Sequence, residues 1–229
     1  MKKIKYYHKD VNIQEDFIAS KMSMPDWYKN IPNNNGDKLT IPLQLTVKKC
    51  MPFLDSLLSG YVILTSQDIM VKQGEGFQNF RLTWAMDSKD LITVTVRNDK
   101  HQIPIPDGFR KEEFVWNIPF SFQLPLGYSM IVSHPANRYE LPFLTTSGIV
   151  DCDTEPMTPG KLPFFLKKDF QGVIPAGTPI AQLLPFKREN WEKKFDENLK
   201  NKSDKILFKI NKVSVGFYRQ CIWKRKEYK

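Results

Sequence analysis

Phe80-Arg81-Leu82-Thr83-Trp84 and Ile92-Thr93-Val94-Thr95-Val96 alternate apolar and polar residues on either side of the polar run Asp87-Ser88-Lys89-Asp90. A side-chain period of two lays one face of each segment on a core, so both are expected to be strands joined as a hairpin. The same alternation precedes them at Leu39, Ile41, Leu43, Leu45 and Val47, where Pro42 points to an edge strand. Gly60–Leu64 and Ile69–Val71 also read as strands, with Leu54–Leu58 before them as a short turn or helix. Gln73-Gly74-Glu75-Gly76 precedes no helical pattern and reads as a turn, not a phosphate loop. Further strands are expected over 114–117, 120–124, 128–132, 162–166 and 180–186. Sixteen prolines and eleven glycines punctuate them. Many short strands between turns predict a mainly β fold, an antiparallel barrel or sandwich, with a short helical C-terminal segment.

The two ends differ from this body. Residues 1–38 read as an irregular N-terminal arm, residues 39–186 as the β-rich domain, and residues 187–229 as a basic, helical tail. In the arm, Pro25 and Pro32 interrupt any helix begun near Asp16, and Trp27 and Tyr28 are expected to staple it to the body. In the tail, Trp191, Phe195 and Leu199 are spaced by four, a narrow helical stripe. Apolar residues at 206, 210, 213, 217 and 221 extend a second helical pattern, weakened by Val213, Val215 and Gly216.

Charge follows the same division. Residues 187–229 hold 14 Lys or Arg against six Asp or Glu, a surplus of eight. Residues 1–9 hold four lysines and no acid, so residues 10–186 carry −3 of the overall +9. Basic ends suit an acidic protein neighbour, nucleic acid or an anionic surface; the bland alternative is a solvated helix face. Cys50, Cys152 and Cys221 are odd in number and widely spaced, which fits reduced thiols rather than a disulfide framework or a zinc site. No apolar run is long enough to span a bilayer, and no apolar segment follows the basic start. A cytoplasmic protein is expected: host cytoplasm, or a virion if phage-encoded.

Chemistry-bearing motifs are sparse. His101 and His134 stand alone, so no metal site is expected, and nothing marks Cys152 as an activated nucleophile. The informative stretch begins with Ile118-Pro119-Phe120, Leu124-Pro125-Leu126-Gly127-Tyr128 and His134-Pro135-Ala136-Asn137-Arg138. It continues through Gly148-Ile149-Val150-Asp151-Cys152-Asp153 to Gly177-Thr178-Pro179-Ile180-Ala181-Gln182-Leu183-Leu184. In order and spacing it resembles the dUTPase and dCTP-deaminase superfamily, whose fold is a trimeric β-clip. Upstream, Gly60-Tyr61, Leu64, Ser66 and Asp68 echo that family's first motif.

The resemblance implies that Asp151 would orient the attacking water and that Gln182 would help hold phosphate. Arg138 lies near the phosphate-contacting position, and Asp153 and His134 join it as candidate ligand contacts. Mg²⁺ is the cofactor if the chain is a hydrolase. Phosphoanhydride hydrolysis needs such an oriented water and donors for the phosphates. The departures are substantial: Val62 stands where the first motif carries its aspartate, and Thr154 where a tyrosine packs under the sugar. The Arg-Ser-Ser trio is absent, and a lysine-rich tail replaces the glycine-rich closing arm. The plain alternative is structural: Asp151 and Asp153 cap a tight hairpin, and Arg138 satisfies carbonyls in a turn.

A second resemblance spans most of the chain. Pro25-Asp26-Trp27-Tyr28, Pro135-Ala136-Asn137-Arg138, Gly148-Ile149-Val150-Asp151 and Pro185-Phe186-Lys187-Arg188 look like an uncharacterised family of phages and bacteria. The expected function is a non-catalytic β-domain binding a protein partner, an oligomeric phage-type structural or accessory protein. The partner would be further copies of the chain or another protein. The alternatives are a dUTPase-like nucleotide-binding or nucleotide-hydrolysing protein, and nucleic-acid binding through residues 187–229.

Overall fold

The computed structural model describes residues 2–8, 15–35, 44–72, 81–84, 93–98, 102–212 and 216–228. In chain order the strands are β1 (Lys5–Tyr7), β2 (Phe17–Ala19), β3 (Asn34–Asn35), β4 (Gln44–Leu45), β5 (Tyr61–Leu64), β6 (Ile69–Lys72), β7 (Arg81–Trp84) and β8 (Thr93–Asn98). They continue as β9 (Glu113–Ile118), β10 (Ser121–Gln123), β11 (Tyr128–Ser133), β12 (Phe143–Thr145), β13 (Gly148–Asp151), β14 (Gly160–Leu166), β15 (Gly172–Ile174) and β16 (Pro179–Lys187). The α-helices are α1 (Asp26–Asn30), α2 (Met51–Leu58) and α3 (Asn198–Lys212). The chain divides into two compact units, residues 1–23 with 59–188, and residues 24–58 with 189–229.

The first unit is the β body. Its larger sheets run β13-β11-β16-β5-β2 and β12-β14-β9-β8, with β15-β6-β7 and the β1-β10 pair beside them. These ladders are antiparallel and the sheets are open, so the expected mainly β, antiparallel fold is found as a sandwich-like arrangement and not as a closed barrel. Ile63, Met130, Val132, Ile180 and Leu183 of one sheet share a single core with Phe114, Trp116, Phe143, Phe164 and Leu166 of the other. Trp116 is fully buried, its ring stacked on Phe164 at 4.0 Å between centroids and edge-on to Phe143 at 5.0 Å. Its Nε1–H donates to Thr145 Oγ1 at 3.2 Å, and the Thr145 hydroxyl donates to the Ile180 carbonyl at 2.6 Å. That relay ties the two sheets together and leaves neither buried polar group unmet.

The expected hairpin between residues 80–84 and 92–96 is not formed among the described residues. β7 pairs with β6 (Ile69↔Trp84), while β8 pairs with β9 (Val94↔Trp116) in a different sheet. Alternation identified the strands but says nothing of their partners. Residues 15–23 are not irregular throughout: Phe17 is buried against Tyr61 and Phe122, and β2 adds an edge strand to β5. The polar turns at 73–76 and 87–90, most of the strand expected over 39–47, and His101 lie outside the described residues. Of that strand's remainder, Gln44–Leu45 pairs with β3, and Val47–Lys49 is a 3-10 turn.

The second unit is mostly helical. Pro25 precedes α1 in extended conformation and Ile31-Pro32 follows it, so the helix is held to five residues. Tyr28 is buried with its ring stacked on Phe53 of α2, and Trp27 meets the same ring edge-on. These two aromatics therefore staple α1 to α2. Trp191 and Phe195 precede the helix that their spacing suggested: residues 189–196 have no regular structure and α3 starts at Asn198. Charged neighbours (Glu192, Lys193, Lys194, Asp196, Glu197) surround those two aromatics, and no core covers them, so periodicity alone did not suffice for a helix. Among the described residues no helix is long and apolar enough to cross a membrane.

Candidate functional site

The turn Pro125-Leu126-Gly127-Tyr128 is closed by the Tyr128 N–H on the Pro125 carbonyl at 3.2 Å. Gly127 sits at φ +84°, a left-handed position that proline-led turns assign to glycine. Its N–H donates to Asp153 Oδ2 at 2.8 Å. The β11–β13 register sets Ser129 opposite Asp151, and the Ser129 hydroxyl donates to Asp151 Oδ1. Arg188, the residue after β16, closes the cluster. Its backbone N–H donates to the Gly127 carbonyl at 2.9 Å. Its guanidinium bridges Asp153 through both carboxylate oxygens and reaches Asp151 Oδ1 at 3.3 Å and Ser129 Oγ at 3.1 Å. Asp153 is almost wholly covered, whereas the Asp151 side chain is 71% exposed.

Hydrogen bonds from Arg188, and then from the Gly127 N–H, hold the Asp153 carboxyl down at about 2, and the bond to Asp153 in turn raises Arg188. The folded value lies below the ordinary 3.8, so the stabilisation is complete above pH 3.8 and disappears as pH falls through about 2. The melting-temperature gap between wild type and Asp153→Asn should be constant near neutrality and narrow below about pH 4. A gap that does not change down to the acid limit would contradict this role for the bridge.

The other candidates lie at the far end of β11. Ser133 is opposite Gln182, and the loop after it turns through Asn137 in the left-handed region, φ +59°. Both ends of the buried Gln182 amide are engaged: Oε1 accepts the Ala136 N–H at 2.8 Å and Nε2 donates to the Ser59 carbonyl at 2.6 Å. Arg138 donates to the Ser23 carbonyl at 3.1 Å and pairs with Glu140. His134 accepts the Thr145 N–H at Nδ1, which leaves Nε2–H to donate to the Arg138 carbonyl at 3.1 Å. Burial lowers its pKa and favours this neutral ring.

The structure thus brings Asp151 to Asp153, and His134 to Arg138 and Gln182, but it does not bring the two groups together. Asp151 and Gln182 face β11 positions four residues apart, a separation of roughly 13 Å along the strand. Val62, at the place of the absent first-motif aspartate, is buried on β5 opposite Gln182. Asp68 caps the Ala176 N–H at 2.8 Å. Burial raises the Cys152 thiol, the opposite of activation. No group of three His, Cys, Asp or Glu among the described residues could hold a metal ion. Sequence reasoning missed Arg188 as the hub; its signal was the Pro185-Phe186-Lys187-Arg188 run, read only as part of a resemblance.

In the second unit, Asp55 of α2 accepts from Trp223 Nε1 at 3.0 Å, from Lys226 and from the Tyr228 hydroxyl. Burial alone would raise this carboxyl, but those donors outweigh it and hold it below the usual range. The C-terminal residues are thereby tied to α2. α3 is different. At 3.6 residues per turn, Leu199, Ser203, Ile206, Leu207 and Ile210 share one face. Their four apolar side chains are all exposed, as are Trp191 (88%) and Phe195 (86%) just before the helix. Lys200, Lys202 and Lys209 border the stripe. Neither a scan against protein-family models nor a search of curated proteins returns a match for the chain.

Proposed function

We propose that the chain is a non-catalytic β-domain protein that assembles with further copies of itself, in the manner of a phage-type structural or accessory protein. In this assembly α3 seats on the β body of a neighbouring copy. The observation that carries the reading is the apolar stripe of Leu199, Ile206, Leu207 and Ile210, left exposed on an amphipathic helix. An apolar face of this kind stabilises an association when a partner covers it.

Charge selects the partner surface. Pairing α3 with α3 of another copy would set Lys200, Lys202 and Lys209 beside the seam against their own kind, which opposes association. The body opposes the helix less, because residues 1–23 and 59–188 together carry only +2 whereas residues 189–229 carry +6. A tail-on-body contact is heterologous, and heterologous contacts build rings or open filaments. The non-catalytic element rests on the engagement of Gln182 and His134 in backbone contacts and on the distance of Asp151 from both.

The double variant Ile206→Asp/Leu207→Asp tests this directly. Light scattering should show wild type above the 26.8 kDa of one chain and the variant at that mass, with the same circular dichroism spectrum. A variant that keeps the wild-type mass would overturn the proposed seat.

A further inference from the structure

The β body has an open cavity of about 460 Å³ lined by Lys2, Lys3, Lys5, Gln123, Leu124, Pro125 and Asp153. That volume is within the range of about 300–1,000 Å³ usual for small-molecule sites. We propose that this cavity is a binding site for a small multivalent anion of the condensed-phosphate or phosphate-ester class. The motif residues discussed above do not carry this inference; Lys5 of β1 and Lys2 and Lys3 just before it do.

Local structure explains why the lysines gather there. β1 and β10 are antiparallel, with Lys5 opposite Gln123 and Tyr6 opposite Phe122. Alternation turns Phe122 into the core, where it is buried, and leaves Lys5 and Gln123 on the other face, at the cavity. Lys2 is braced: its ammonium donates to the Tyr128 hydroxyl and lies 4.0 Å from the centre of the Tyr128 ring. Among the described residues Lys3 and Lys5 are in no ion pair.

The one acid on the wall does not cancel this charge. Asp153 is already bonded by Arg188 and by the Gly127 N–H, so its negative charge is already met. Lys2, Lys3 and Lys5 thus line one concavity, with Gln123 beside them and Leu124 and Pro125 as an apolar ledge. Several lysines around one cavity favour a ligand with several charges over a single anion, because each further ion pair forms without a new loss of translational freedom. The apolar ledge leaves room for an organic group attached to the phosphates.

Isothermal titration of the full chain with tripolyphosphate tests the site. Wild type should bind it about tenfold or more tightly than monophosphate, and added salt should weaken the binding. Lys3→Gln/Lys5→Gln should lose about tenfold or more in affinity, and Lys3→Arg/Lys5→Arg should retain it. Both lysines are exposed, so an unchanged melting temperature is expected. Lys200→Gln/Lys202→Gln/Lys205→Gln, on the tail, should bind as wild type does. The proposal is overturned if wild type does not bind tripolyphosphate. It is equally overturned if the Lys3/Lys5 glutamine variant binds unchanged, or if the tail variant is the one that loses binding.

Discussion

Gly60→Ala is expected to cost about 2–5 kcal/mol of folding stability, from about 1–2 for a left-handed backbone and about 1–3 for forced overpacking. Gly60 sits at φ +69° just before β5, and its carbonyl accepts the Ser20 N–H at 3.0 Å. A Cβ there would stand 2.2 Å from the Leu183 carbonyl oxygen and 2.7 Å from the Leu184 side chain. The first neighbour is backbone of β16, which is hydrogen-bonded between β5 and β11 and has little freedom to withdraw. Gly127 separates the two contributions. It has φ +84° but nothing within 4 Å of an added Cβ, so Gly127→Ala should lose only the conformational part, about 1–2 kcal/mol. Urea unfolding of the two variants side by side measures the difference, and equal losses would contradict the close approach at β16.

Trp116→Ala should be as damaging, at about 3–5 kcal/mol, the usual range for removing a large buried aromatic. The ring is fully buried between two sheets, with Phe164 stacked on it and Phe143 at its edge. Truncation leaves a cavity at the centre of the core and removes the donor to Thr145. Stabilities of ordinary domains are about 5–15 kcal/mol, so the loss is a large share of the total. Trp116→Phe keeps most of the apolar volume and leaves the Thr145 hydroxyl on the Ile180 carbonyl, so it should lose clearly less. The urea midpoints of the two variants report this. Near-identical midpoints would place the ring outside the cooperative core.

Much of the strand content was legible in the sequence, because period-two alternation is a local signal. β5, β6, β9, β11, β14 and β16 fall where apolar residues or proline-bounded runs predict them. Pairing was not legible. Nothing in residues 80–84 states that their ladder partner is β6, because register and partner are decided by packing across distant segments. The tail shows the converse error: Trp191, Phe195 and Leu199 have helical spacing, yet only Leu199 is in a helix. The hairpin aspartates were legible as a motif, and the plain reading of short acids capping a turn suits Asp153 on the Gly127 N–H. The separation of Asp151 from Gln182 was not legible, because spacing in sequence gives no position along a shared neighbouring strand. Arg188 escaped notice because its side-chain partners come from two segments distant in sequence, at 128–129 and 151–153.

The central claim is that the exposed stripe of α3 is covered by the body of another copy through apolar contact. Light-scattering mass of the purified full chain across a dilution series, repeated between about 0.05 and 1 M salt, tests it most directly. The account predicts a mass above 26.8 kDa that falls toward that value on dilution and, because the contact is apolar, persists as salt rises. A constant 26.8 kDa at every concentration and salt would contradict it.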